Sequence, residues 1–174
     1  EEHKAEIDAI INITDAPTFE NTILALEYSG KLLDKVQSVF GNLMGANTSP
    51  ELQAIAKDMY PKLSQHSDEI LLNAQLFSKV KAVYDAENEL KLAGETARLN
   101  AEEMKLLEET FKSFVQSGAN LSDEDKEKMK AINGELSTLS LQFGENLLAE
   151  INNFKLVVEN EADLAGLPES SISA

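Results

Sequence analysis

The chain has 174 residues, enough to bury a core as one domain, and 43% of them are hydrophobic, well above the apolar content of a disordered, highly charged chain. Thirty-one acidic residues against 15 basic ones leave a net charge of -16, which repels phosphate backbones and anionic lipid, so neither nucleic acid nor a membrane is an expected partner. The absence of cysteine excludes disulfides, thiolate nucleophiles and cysteine-based zinc sites, and no apolar run approaches the ~20 residues of a membrane span.

Glycine and proline number only 8 and 4, while Ala, Leu, Glu, Lys and Asn dominate, so local propensity predicts an all-α chain. Residues 3–13 place Ile7, Ile10 and Ile11 on one helical face, as the tail of a helix entered partway at Glu1. Pro17 and Thr18 then form an entry and cap for a helix running to about Met44. It carries Ile23, Leu26, Leu33, Val36, Phe40 and Leu43, with Gly30 allowing the close approach of a neighbour near its middle.

Ser49-Pro50-Glu51 is a strong start signal: a capping serine, a proline at the first helical position and an acid in the first turn. Pro61 should end or kink the helix that follows, after Tyr60. A further helix covers about Gln75 to Leu92 with Phe77, Val80, Val83 and Tyr84 on its buried side. Another runs from Thr96 to Val115 on Met104, Leu107, Phe111 and Phe114, and Gly118 closes it.

Ser122-Asp123-Glu124-Asp125 satisfies capping-box logic for a long helix. In that helix Met129, Ile132, Leu136, Leu139, Phe143, Leu147 and Ile151 step by three or four residues, which predicts a buried face. The β-branched stretch 154–159 reads as a short strand or an extended connector. Residues 160–168 then make one helical turn, capped by Asn160, closed by Gly166 and followed by Pro168.

Chemistry-bearing patterns are scarce. A helical zinc peptidase site needs two histidines one turn apart with a glutamate beside the first. His3 and His66 are the only histidines, and neither has a second four residues away. Asp68 and Glu69 follow His66 closely enough to join it in a metal or acid–base site, but in so acidic a chain the structural reading of His66 stands first.

The acidic run 122–128 lacks the glycine and terminal glutamate spacing of a calcium loop and reads as a helix start. Gly41-Asn42 and Gly45-Ala46 have neither a preceding strand nor a following lysine, so no phosphate loop is supported. No serine sits in a strand-to-helix elbow. Phe77, Phe111, Phe114 and Phe143 read as core rather than as a peptide groove, and Tyr28, Tyr60 and Tyr84 suit either a core edge or a channel wall. No catalytic, cofactor-binding or metal-binding residue is assigned.

Six separated blocks do carry an identity: PTFENTILALEYSGKLLDKV, VFGNLMGANTSPELQ, MYPKLSQHSDEILLNAQLFSKV, VQSGANL, INGELSTLSLQFGENLL and EADLAGLP. In this order, from about Ala5 to Ala174, they resemble the amino-terminal region of the M3-family zinc oligopeptidases. Within the family they are most similar to the bacterial peptidyl-dipeptidase (dipeptidyl carboxypeptidase) branch, and next to the oligopeptidase A-type endopeptidases.

The resemblance implies a piece of a larger, two-lobed, mostly helical metallopeptidase with a deep channel, whose HExxH zinc site lies downstream of these residues. It implies hydrolysis of short unstructured peptides by zinc in the parent, with no family metal ligand or catalytic acid among these 174 residues. Residues 1–174 are then a single helical amino-terminal lobe, antiparallel and bundle-like, truncated at both ends and inactive alone, forming one wall of the channel. Its partners are the remainder of its own chain and, through exposed apolar faces, a second copy; the expected compartment is the cytoplasm, with periplasmic export left open. The reading from a different class is a stand-alone helical module that binds a protein or peptide without hydrolysis.

Overall fold

The computed structural model describes residues 1–96 and 98–172. They are predominantly helical, as composition predicts, and among the described residues there is no strand. Stretch 154–160 is irregular chain, so the connector reading of residues 154–159 holds and the strand reading falls.

The chain divides into two compact units, Glu1–Leu139 and Ser140–Ala174. In the first, α1 (Glu2–Ile11) is followed by a π-helical turn (Phe19–Leu24), α2 (Ala25–Tyr28), α3 (Lys31–Ala46), α4 (Pro50–Leu71), α5 (Ala74–Leu92) and α6 (Ala101–Gln116); α7 (Asp123–Asn153) begins there. The second holds the end of α7, a 3-10 turn (Glu161–Leu164) closed by Gly166 at φ 95°, and α8 (Glu169–Ile172). Asn160 precedes the 3-10 turn, yet its side chain makes no capping bond.

The core of the first unit gathers apolar side chains from four elements. Ile7 and Ile10 of α1, Phe19 and Ile23 of the π turn, Leu76, Phe77, Val80 and Val83 of α5, and Leu107 and Phe114 of α6 are buried together with Ala119. Aromatic rings line the α5–α6 seam: Tyr84 stacks on Phe111 at 3.9 Å between centroids, and Phe77 lies 5.9 Å from Phe111 and 6.1 Å from Phe114. Full burial of one such side chain contributes about 1.5–3 kcal/mol, so this seam anchors the unit. Lys79 of α5 reaches across to donate to the carbonyl of Ile13, satisfying an orphan acceptor just beyond α1.

Three sequence expectations need correction. The helix expected from Thr18 to Met44 is broken at Ser29–Gly30. There Ser29 turns extended, its hydroxyl donates to the Leu26 carbonyl at 2.7 Å, and Gly30 takes φ 72°. A serine that can bond its own backbone and a glycine free of Cβ strain together favour this exit from the helix. Pro61, in contrast, lies inside an unbroken α4. Its lost donor is tolerated because tertiary anchors hold both halves: before it Ala56 is fully buried and Tyr60 packs edge-on to Phe40 at 6.1 Å, and after it Asp68 accepts from Asn133 at 2.7 Å. The Thr96 start is the third, because the helix begins at Ala101 behind a capping box in which Asn100 accepts from the amides of Glu102 and Glu103 and Glu103 accepts from Asn100.

The predicted buried face of α7 is also absent. Ile132, Leu136, Leu139, Phe143, Leu147 and Ile151 are all exposed, Phe143 at 70%. Of the phenylalanines read as core, Phe143 therefore is not, while Phe77, Phe111 and Phe114 are buried or pack against the core. The row on α7 keeps its helical spacing, and none of the described residues covers it.

Candidate functional site

Polar side chains converge where α1, α4 and the Ser29–Gly30 break meet, all within the first unit. Gly30 in the left-handed region redirects the chain between α2 and α3, and two groups of α1 seize that turn. Its amide donates to Glu6 Oε2 at 2.7 Å, and the His3 Nε2 atom lies 3.3 Å from Ser29 Oγ. The His3 ring sits so close to Gly30 that a Cβ there would fall 2.8–3.0 Å from Cε1, Nδ1 and Nε2. The close neighbour expected at Gly30 is thus the imidazole of His3.

His66 comes from the last third of α4, and its Nε2 lies 3.1 Å from His3 Nδ1, the two rings edge to face with centroids 4.9 Å apart. Burial, and next the neighbouring His3 ring, hold the His66 imidazole below its ordinary value, against the opposing pull of Glu69. Glu69 itself is 3.6 Å from Lys4 on α1, an exposed pair that contributes little. The histidines line an open groove of about 740 Å3, together with the apolar side chains of Leu32, Leu33 and Val36 of α3 and Leu63 of α4.

The other residues singled out in the sequence separate. Asp68 is buried away from His66 and accepts from Asn133 Nδ2 of α7 at 2.7 Å, which removes it from any centre built on His66. In the acidic run, Ser122 Oγ accepts from the Asp125 amide at 3.2 Å and donates to its carboxylate at 3.0 Å, as a helix start should. Gly41 and Gly45 lie within α3. Tyr84 stacks in the core seam, Tyr60 meets Phe40, and Tyr28 is exposed with the Lys31 ammonium 4.1 Å over its ring.

A zinc ion does not fit these residues. Among the described residues no group of three or more His, Asp or Glu side chains is placed to hold a metal, and the two imidazoles are directed at each other. No helix among the described residues is long and apolar enough to cross a membrane. Sequence reasoning missed His3 as the partner of His66, and Ser29 and Gly30 as neighbours of His3. The local signal was a Ser-Gly pair inside an amphipathic pattern, but a contact spanning 63 residues leaves no trace in periodicity.

No protein-family model matches the chain. Individual proteins do. The chain is 39% identical over 173 residues to the dipeptidyl carboxypeptidase of Escherichia coli (strain K12), an alignment covering 99% of this chain and 24% of that protein. The dipeptidyl carboxypeptidase of Salmonella typhimurium is 40% identical over 164 residues, covering 94% of this chain and 23% of the relative. Oligopeptidase A of Haemophilus influenzae is 32% identical over 157 residues, covering 90% and 22%. The chain spans about a quarter of the length of these curated relatives. Over nearly all of its own length it is therefore homologous to one segment of the M3-family peptidases, dipeptidyl carboxypeptidase and oligopeptidase A.

Proposed function

We propose that this chain is the non-catalytic amino-terminal helical lobe of a zinc peptidase of the peptidyl-dipeptidase type, forming one wall of the channel through which short, unfolded peptides reach the metal. The observation that carries the reading is the near-complete alignment of this chain with only a quarter of each dipeptidyl carboxypeptidase. The higher identity to those proteins than to oligopeptidase A favours the peptidyl-dipeptidase branch over the endopeptidase alternative.

Two features agree with it. The two histidines here are bonded to each other, and on this reading the metal and its motif glutamate are supplied by the rest of the parent. The exposed row Leu32, Val36, Val39 and Leu43 on α3, and the exposed row on α7, are faces for the remainder of the parent chain to cover.

The test compares the full-length parent with residues 1–174 alone on a short peptide carrying a free carboxyl terminus. Mass spectrometry should find dipeptides released from that terminus by the parent and none by the isolated chain, and calorimetry should find no zinc uptake by the latter. Peptide hydrolysis or tight zinc binding by residues 1–174 alone would overturn the reading. A native gene ending near Ala174 without a downstream HExxH would favour the stand-alone binding module instead.

A further inference from the structure

The imidazole pair has a feature that does not depend on the peptidase reading: its hydrogens can be assigned. Ser29 has one hydroxyl hydrogen, and it is directed to the Leu26 carbonyl at 2.7 Å. Ser29 Oγ can therefore only accept from His3, which places the His3 hydrogen on Nε2 and leaves Nδ1 a bare acceptor. His66 Nε2, 3.1 Å from that acceptor, must then be the donor.

This order has one tolerance and one limit. A first proton can go to His66 Nδ1, outside the chain of bonds, and the Nε2–H donor it leaves is stronger for being charged. A second proton must go to His3 Nδ1, where two N–H groups would meet head on and two positive rings would lie with centroids 4.9 Å apart.

We propose that His3 and His66 are a one-proton latch, which holds the first turn of α1 on α4 and on the Ser29–Gly30 joint and releases it when both rings are protonated. Three bonds bridging 24, 26 and 63 residues meet at this point, so losing the His3–His66 bond leaves α1 tied to α4 on this side by the exposed Lys4–Glu69 pair and lets the Glu6–Gly30 and His3–Ser29 bonds open together more often. Opening there widens the groove between α1, α3 and α4.

The surroundings set when this happens. On the groove side Glu1, Glu2, Glu6 and Glu69 face the pair with Lys4, Lys62 and the amino-terminal ammonium, and at His66 burial and the His3 ring outweigh the pull of Glu69. Asp8 flanks His66 on its other side. Behind His3 lie Glu27 of α2, Asp34 of α3 and Glu109 of α6.

The experiment is a histidine-selective nitrogen NMR titration of the 174-residue chain from pH 8 to 5, with amide hydrogen-exchange protection of Gly30 measured at each pH. At pH 8 His3 should show the Nε2–H tautomer, and protection at Gly30 should fall at least tenfold on acidification. His66→Gln should lose most of that fall, because a glutamine amide can donate to His3 Nδ1 or turn its carbonyl to accept from it. An Nδ1–H tautomer at His3 would overturn the proposal, as would an undiminished fall in the His66→Gln protein. If that variant does not fold, the wild-type tautomer together with the pH response at Gly30 decides.

Discussion

Gly30 carries two demands at once: a left-handed backbone at φ 72°, and space for an imidazole within 3 Å of where a Cβ would sit. Alanine there should destabilise the chain by about 2–4 kcal/mol, roughly half from the backbone conformation and the rest from displacing His3. Urea unfolding of Gly30→Ala alone and in a His3→Ala background separates the two, because only the backbone part, about 1–2 kcal/mol, should remain once the ring is gone. An equal cost in both backgrounds would remove the packing role of His3. The neighbouring His66 makes a prediction about pH. Its folded pKa lies below the unfolded value of about 6.5, so in that window the unfolded chain binds more protons than the folded one. The contribution is present in full above pH 6.5 and is lost as pH falls through the unfolded pKa toward the folded one. Thermal unfolding should show a midpoint that declines from pH 7.5 to 5.5 in the wild type and declines less in His66→Gln; parallel curves would contradict the assignment.

At the scale of the elements, caps decide where helices start. Asn100 accepts from the amides of Glu102 at 2.9 Å and Glu103 at 3.0 Å, and Glu103 returns a bond to the Asn100 amide at 2.9 Å. Asn100→Ala should therefore cost about 1–2 kcal/mol, read as a lower urea midpoint with an unchanged slope. Asn100→Ser, which keeps the acceptor, should recover most of it. The same chemistry explains what could be read from the sequence. Ser49-Pro50, Thr18 and Ser122 were legible because a cap is a local pattern of donor and acceptor, and each of the three bonds as the pattern requires. The Asn100 box was equally local, but the helical spacing of the residues before it masked the true start. Pro61 was misread because its local cost is real, while the anchors that outweigh it, Phe40 against Tyr60 and Asn133 against Asp68, come from distant sequence. The face of α7 was misread for the opposite reason: periodicity shows that a face is apolar, but not which chain covers it. The histidine pair combines both difficulties, since nothing local in His3 or His66 announces the other.

For the whole molecule, charge is the feature that composition fixes and the fold distributes. With 31 acidic and 15 basic residues the chain carries a net charge of -16, and Glu1, Glu2, Glu6 and Glu69 place negative charge around a groove that has an apolar wall. If this chain walls the channel of its parent, a peptide passing it meets several carboxylates at once. A single charge pair about 4 Å apart in water is worth roughly 1 kcal/mol, and a few such contacts screened over a Debye length of about 8 Å leave a net bias of similar size. Lysine-rich peptides should then show a kcat/KM about 3- to 10-fold above glutamate-rich peptides of the same length at low ionic strength, with the difference mainly in KM. Raising salt to about 1 M shrinks the Debye length to about 3 Å and should bring the two series together. Charge-reversing the rim in the parent, as Glu2→Lys with Glu6→Gln, should narrow the gap at low salt and leave the high-salt rates of both peptide series in place. Two series that run in parallel at every salt concentration would show that the acidity of this chain keeps the protein dispersed and plays no part in choosing what enters.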